Sequence, residues 1–515
     1  MDKLKDLLYH DLERPDFLSW DKTKRRWAKI LKSMPANSAI LAAYNQLVTE
    51  NKCQLRPDIE RTLKVRKVRT MSGVAPFAVM MKPFTCPGNC IYCATEPGMP
   101  KSYMSDEPAA SRAKKANFDP AIQVKQRLEQ MEATGHKPEK LQIIVIGGTF
   151  GAYPTDYRRK FIKTIFDACN GEVSESIERA QIKNETAKYR IIGLSVETRP
   201  DWVTPEEIKL MREWGVTKVQ LGVQALDNKI LLAISRGHNV DAIVKATQLL
   251  RDHGFKINYH IMPNLPTSTP QKDVDMGKQL FADDRFRPDT LKIYPCIVLP
   301  GTRLYDLWKS GAYESYDDET LLTTLIGIKQ AVPTYCRIDR LVRDITKKWT
   351  VSGTLKTNMR ELVLDTMKKD GVVCRCIRCR EVRDNSLKPS NVTIADLSYK
   401  ANDGIEHFLS FEDQNYLYAM LRLRFPPKYD GVFTVLKNAA LIRELQVFGE
   451  QVGIDKKNKN ASQHQSLGKQ LLKRAEEMAK AAGYQKIAVI SGVGVRGYYR
   501  KLGYKLEASY MVKEV

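Results

Sequence analysis

The sequence predicts an α/β protein built of two unlike units. The first is a partial, TIM-like parallel barrel, and the second is a smaller domain whose strands are mostly antiparallel. Three observations carry this reading. From about residue 71 to 330, short β-rich runs alternate with periodic helical stretches, the pattern of parallel strands joined by right-handed crossovers. From about 392 the runs follow one another directly until one long helical segment at 466–482. Residues 331–391 between them are mixed and basic and read as a linker. A chain of 515 residues has room for these units and for a further segment in front of them.

That leading segment, 1–70, reads as helical and carries 16 Lys and Arg against 9 Asp and Glu. Its basic runs at 22–26 and 64–69, with Trp20 and Trp27 nearby, suit an RNA-facing element or, more plainly, a solvated helix face. In the barrel the expected strands are 141–146, 190–196, 218–223, 256–261 and 291–294, with helices at 120–134, 204–214 and 240–253. Glycine or polar residues follow the strands: Gly147-Gly148-Thr149, Glu197-Thr198-Arg199, Gln224 and Met262-Pro263. In a parallel barrel those carboxyl ends form the active face. A doubly wound open sheet is the alternative. The polar stretch 168–189 reads as an insertion. In the last unit, strands are expected at 406–411, 416–425 and 440–448, then the helix at 466–482. A strand at 486–491, a short helix at 495–502 and one last strand at 504–511 complete it. That order suits a small acyltransferase-type domain.

Charge narrows the partners. The formal net charge is +23, which points to a polyanion, nucleic acid foremost, rather than a mere solubility bias. No apolar run reaches the length of a membrane-spanning helix, and residues 1–14 lack the apolar core of a secretory signal, so a cytoplasmic protein with no membrane partner is expected. In that setting ten cysteines are not disulfide material, and their spacing matters more than their number.

Cys86, Cys90 and Cys93 stand as C-x3-C-x2-C with an aromatic before the last. Three thiolates so spaced can hold three irons of a 4Fe-4S cubane and leave the fourth free for the amino and carboxylate groups of S-adenosylmethionine. The alternative is zinc with a distant fourth ligand. Gly147, Gly148 and Thr149 would let backbone amides approach the methionine part of that cofactor. Glu197, Arg199 and Gln224, with Tyr259 and His260, are further candidates at strand ends. The bland readings are a structural ion pair for Glu197 and Arg199 and a core position for His260.

Cys374, Cys376 and Cys379 form a second cluster, read as structural zinc with Cys336 as fourth ligand, or else as redox-active thiols. The third site is the turn from Gln463 through Leu467, Gly468 and Lys469 into a helix. Backbone amides at a helix start bind anions, here the pyrophosphate of coenzyme A. Ser466 stands where such turns carry their first glycine. Tyr498 or Tyr499 could protonate a leaving thiolate, or could simply pack in the core.

Taken together, the cysteine loop and several further passages resemble the catalytic subunit of Elongator in its stand-alone form. These passages are Glu197-Thr198-Arg199-Pro200-Asp201, Gln220-Leu221-Gly222-Val223-Gln224, His260-Ile261-Met262-Pro263, the Cys374–Cys379 cluster, Arg443-Glu444-Leu445 and Ile490-Ser491-Gly492-Val493-Gly494. The likeness runs from about residue 68 to the C-terminus. It implies a radical S-adenosylmethionine barrel fused to a GCN5-related acetyltransferase domain. It further implies an enzyme acting on the anticodon stem-loop of tRNA. There an S-adenosylmethionine-derived radical on acetyl-CoA would convert the wobble uridine to 5-carboxymethyluridine. By motif the resemblance assigns acetyl-CoA contacts to Lys140 on the radical side, to Glu444, Leu445, Gln446 and Val447, to Leu467, Gly468 and Lys469, and to Tyr499. Gln446 stands where the family often has histidine. The competing expectations are a protein lysine acetyltransferase, resting on the last domain alone, and a tRNA-binding scaffold with an impaired acetyl-CoA site.

Overall fold

A computed structural model describes residues 2–13, 20–64, 73–343, 345–356, 358–383, 392–427, 429, 431–449 and 466–515. The first unit is one parallel sheet of seven strands whose spatial order is the chain order. The strands are β1 (Ala75–Met80), β2 (Lys140–Ile146), β3 (Arg190–Thr198), β4 (Lys218–Gln224), β5 (Lys256–Ile261), β6 (Thr290–Ile293) and β7 (Arg337–Arg340). β1 and β7 do not pair with each other, so the barrel is open, as a partial barrel requires.

Five of these strands lie where the sequence places them; β1 and β7 were missed. Pro76 reads against a strand, yet β1 is an edge, where a missing N–H costs nothing. β7 carries the sheet past residue 330 into the segment read as a linker, because Arg337, Ile338 and Arg340 pair with β6, the register shifting past Asp339. Alternation within the strands explains the layering. Ile143, Val145, Val219, Leu221, Ile257 and Ile293 point outward into the apolar layer under the helices. Their neighbours line the interior, which is apolar at β1 and β2 (Met80, Ile144, Ile146) but polar from β3 to β7 rather than filled by the branched aliphatics usual in closed barrels. There Gln220 donates to Ser195 Oγ (2.7 Å), and Lys218 and Asn258 both reach Asp339 Oδ2 (2.7 and 3.2 Å).

The leading helices, Asp2–Leu12, Trp20–Leu31, Asn37–Thr49 and Pro57–Leu63, share a small core of Leu8, Trp27, Ile40, Leu41, Tyr44 and Leu47. Trp27 is fully buried and donates to Asp11 (2.8 Å), and Trp20 packs edge-on against it. These two rings are therefore packing groups. Lys22, Arg25 and Lys29 remain exposed on the second helix. Of the second basic run, residues 65–69 lie outside the described residues, as does Gln463.

The second sheet also has seven strands: β8 (Ile394–Ala401), β9 (Gly404–Glu412), β10 (Leu417–Phe425), β11 (Ala439–Val447), β12 (Lys486–Val489), β13 (Lys505–Glu507) and β14 (Tyr510–Glu514), ordered β13-β14-β12-β11-β10-β9-β8. Only β11 and β12 are parallel. The single last strand expected at 504–511 is a hairpin, because Ala508 and Ser509 take φ of 41° and 75° and turn the chain. Neither is a residue that announces a left-handed turn. The helix Leu467–Ala481 lays Leu471, Leu472, Ala475 and Ala479 on this sheet.

The second domain docks on the amino ends of the barrel strands. Arg443 pairs with Asp289 (3.0 Å) and Glu406 (2.8 Å) and donates to Phe255 O (2.9 Å), all fully buried. The Tyr510 hydroxyl donates to His253 O (2.9 Å). A Cβ on Gly492 would stand 2.0 Å from Ile192 O, so only glycine lets the two backbones meet there. The stretch read as an insertion contributes the helix Ile177–Asn184, and Gln181 there accepts from Arg496 of the second domain (3.2 Å).

Candidate functional site

Cys86, Cys90 and Cys93 lie in the loop beyond the carboxyl end of β1. Its middle is pinned from two sides, by Ile91 N to Ile234 O (3.1 Å) and Leu304 N to Ile91 O (3.0 Å). Lys101 Nζ donates to Gly88 O (2.8 Å). Hydrogen bonding from Cys93 lowers the Cys90 thiol to about 5; burial opposes this and the Arg236 cation assists it. Cys90 is thus prepared to ligate as thiolate.

Around the loop the expected residues converge. Gly147 and Gly148 sit at φ 136° and 110°, conformations closed to side-chain-bearing residues. Gln224 also has positive φ (69°). Arg199 is clamped by Asp201 (2.9 and 2.7 Å), while its buried Nη1 has no hydrogen-bond partner. That Nη1 stands 2.4 Å from where a Gly88 Cβ would be, so the cation faces the cysteine loop across a residue that must be glycine. An orphaned buried guanidinium N–H beside bare glycine backbone suits a carboxylate such as that of S-adenosylmethionine. Glu197 is already engaged, accepting from the Tyr103 hydroxyl (2.7 Å) and Lys292 (3.2 Å). His260 faces the interior, its Nε2 3.2 Å from Gln220 Oε1. Tyr259 points the other way, its hydroxyl bonded to Thr247 among the outer helices, and is a core residue.

The placement expected for Lys140, on the radical side, does not hold. It opens β2, level with Arg190, and lies at the end of the strand opposite the Gly147-Gly148 turn. A strand of seven residues spans roughly 20 Å. Lys140 is therefore not on the radical side; it is near the docked second domain, whose Gly494 packs on Arg190. Burial lowers its ammonium pKa.

Cys374, Cys376 and Cys379 place their sulfurs within 4.8 Å of one another, and among the described residues no other His, Cys, Asp or Glu trio does. Tetrahedral Zn–S bonds of ~2.3 Å separate sulfurs by about 3.8 Å, so this group suits one zinc ion. Cys86, Cys90 and Cys93 do not meet as one such group, although Cys90 and Cys93 are hydrogen-bonded to each other; three thiolates there would each hold a different iron of a cubane. Hydrogen bonds from Cys374 and Cys379 hold Cys376 far below the usual thiol range. Cys336 is fully buried but outside the group, so the expectation that it completes the site is corrected. Lys329 Nζ stands there instead, 2.6 Å from Cys374 Sγ and 3.5 Å from Cys379 Sγ.

In the second domain β11 and β12 pair only from Ala439↔Lys486 to Ile442↔Val489. Beyond that they part, and the edge of β11 from 443 to 447 is left unpaired on that side. The β11–β10 register skips Arg443, a bulge that re-aims the strand at this point. The opposite wall is the start of the Leu467–Ala481 helix: a Cβ on Gly468 would meet Val447 Cγ2 at 3.4 Å, Tyr498 Oη at 3.5 Å and Leu445 Cδ2 at 3.9 Å. Leu445, Val447, Gly468 and Tyr498 are thus brought together, with Leu467 buried beneath and Lys469 exposed above. Ser466 caps the helix at φ 60°, the left-handed conformation that favours glycine. The Glu444 carboxylate turns away, paired with Lys256 of the barrel and with Arg422 (2.9 Å), so only its backbone can face the cleft. Gln446 is half-buried on β11. Tyr499 packs in the core beside Tyr504, whereas Tyr498 is 37% exposed, and burial pushes its hydroxyl up to about 12.

Comparison with known proteins agrees with this layout. Residues 83–278 match the model of the radical SAM superfamily and 288–369 that of the Radical_SAM C-terminal domain. The chain is 43% identical to the tRNA uridine(34) acetyltransferase of Methanocaldococcus infernus, over 93% of this chain and 92% of that protein. It is 40% identical to the human Elongator complex protein 3, over 89% and 87%. This chain belongs to the Elongator complex protein 3 family. The solved structure of the Methanocaldococcus infernus Elp3 lacking residues 1–46 superposes with a TM-score of 0.76 at 40% identity, covering 87% of this chain and all of that one. Family membership places the radical SAM match on the open barrel. Arg236 and Lys101 support the cysteine loop but have no role in the sequence reading, although Lys101-Ser102-Tyr103 is itself a passage that resembles the family. For Arg236 the one signal is Ser235-Arg236-Gly237-His238, a glycine-bearing turn beyond a strand end.

Proposed function

We propose that this chain is a tRNA-modifying acyltransferase that converts the wobble uridine to 5-carboxymethyluridine. A 4Fe-4S cluster on Cys86, Cys90 and Cys93, with S-adenosylmethionine, would supply the 5′-deoxyadenosyl radical that abstracts hydrogen from acetyl-CoA. Gly147, Gly148 and the unpaired Arg199 Nη1 would bind the methionine end of that cofactor. The open edge of β11 would hydrogen-bond the pantetheine arm, as β-augmentation does for an extended chain. The helix start at Ser466–Lys469 would take the pyrophosphate. Tyr498, rather than the buried Tyr499, would hold the proton for the departing thiolate. Zinc on the Cys374 cluster would brace the barrel against the second domain, and the exposed lysines and arginines of the leading helices would meet RNA phosphates.

The observation that carries this reading is the coexistence, in a member of this family, of a glycine-lined cysteine loop and an open β11–β12 cleft. The test is acetyl-CoA hydrolysis with and without bulk tRNA, by the wild type and by Tyr498→Phe and Tyr499→Phe. We expect stimulation by tRNA and loss in Tyr498→Phe. Bound tRNA with no hydrolysis would favour a scaffold with an impaired coenzyme site.

A further inference from the structure

Arg236 is a buried cation that the reading above does not use. Ser235 at φ 53° and Gly237 at φ 79° turn the chain on either side of it. The side chain is 6% exposed and reaches under the cysteine loop. Nη1 donates to Cys90 Sγ (3.4 Å), and Nε donates to Gly222 O (3.2 Å). Gly222 makes room for it, because a Cβ there would stand 2.5 Å from Arg236 Nη2. Every hydrogen bond of its guanidinium among the described residues goes to Gly222 O or to Cys90 Sγ, and none to a carboxylate. A buried guanidinium without a carboxylate costs several kcal/mol unless some other negative charge answers it. A thiolate-ligated cluster is such a charge.

We propose that Arg236 sets the reduction potential of the cluster held by Cys86, Cys90 and Cys93. The inference rests on the assignment of that cluster to the loop. Reduction adds one electron to a cluster that already carries net negative charge. A buried cation hydrogen-bonded to one ligand sulfur stabilises the reduced form more than the oxidised form, and so raises the potential. Arg236 is a positioning and tuning residue: it touches a ligand sulfur, not the substrate. Without it the same low-potential one-electron donor would reduce a smaller fraction of the enzyme.

The experiment is an EPR-monitored redox titration, with dithionite as reductant, of the full chain after anaerobic reconstitution with iron and sulfide. Iron content is measured in parallel. Arg236→Gln should load as much iron as the wild type, with its reduction equilibrium shifted at least tenfold toward the oxidised form, a midpoint lower by about 59 mV. Gly222→Ala should displace the guanidinium while keeping its charge, and shift the midpoint the same way by less. It also decides the matter if Arg236→Gln fails to load. A loaded variant with an unchanged midpoint overturns the inference alone. A wild type that takes up no cluster overturns the assignment of the loop, and this inference with it.

Discussion

Asp289 stands at the centre of the junction between the two domains, and its replacement by asparagine tests how they are joined. The carboxylate is fully buried, bonded to Arg443, 3.6 Å from Arg422, and accepting from Ile257 N (2.8 Å). Asparagine keeps the shape and removes the charge. Breaking a buried pair from one side costs about 3–5 kcal/mol. The low end applies here, because Arg443 keeps Glu406 (2.8 Å) and Arg422 keeps Glu444 (2.9 Å). A loss of about 3 kcal/mol lowers the melting temperature of a domain of this size by roughly 6–12 °C. Thermal unfolding by circular dichroism should show that loss in Asp289→Asn and a comparable one in Arg443→Met. The double variant Asp289→Asn with Arg443→Met should lose less than the two combined, since neither charge is then left alone. An Asp289→Asn protein that melts with the wild type, or a strictly additive double variant, would refute the reasoning.

Ser466→Gly relieves a left-handed position worth about 1 kcal/mol, so thermal unfolding should show a higher melting temperature for the variant; a lower one would contradict the left-handed position of that residue. Cys376→Ala should abolish bound zinc as measured by elemental analysis, while Cys336→Ala should retain it; loss in both would restore Cys336 as a ligand. Burial pushes the Asp289 carboxyl up, but Arg443 and Arg422 more than reverse it and hold it well below the usual range. A carboxylate depressed in the folded state adds stability above its unfolded value near 3.9, and that stability is lost as pH falls further. Melting temperature should therefore drop steeply below about pH 4, and a rise there would contradict the junction chemistry.

The sequence was legible wherever a strand kept its alternation and ended in a marked turn. β3 to β6 read correctly because outward Ile, Val and Leu alternate with inward polar residues, β2 because it is a nearly unbroken apolar run, and Gly147-Gly148 and Gln224 mark the ends of β2 and β4. β1 hid behind Pro76, and β7 behind four residues dominated by charge, whose partners lie inside the barrel. The β13–β14 hairpin hid because Ala508 and Ser509 are not usual in a left-handed turn. Among site residues, the cysteine spacing pointed to the radical SAM superfamily without the fold, whereas Lys140 could not be placed without knowing the strand's direction and length. The sequence could not separate Tyr498 from Tyr499: one residue of offset on a short helix decides which faces Gly468. Lys329 left no mark in the sequence and Arg236 only its glycine-bearing turn, because each is joined to its cysteine through tertiary packing.

The modified nucleoside is the sharpest readout of the proposed reaction. Reconstituted chain would be incubated anaerobically with reductant, S-adenosylmethionine, acetyl-CoA and unmodified tRNA, and the tRNA digested and analysed by mass spectrometry. The expected product is 5-carboxymethyluridine at the wobble position, absent when Cys90 is alanine and absent without acetyl-CoA. Cleavage of S-adenosylmethionine with no change in uridine, or acyl transfer that persists in Cys90→Ala, would contradict it.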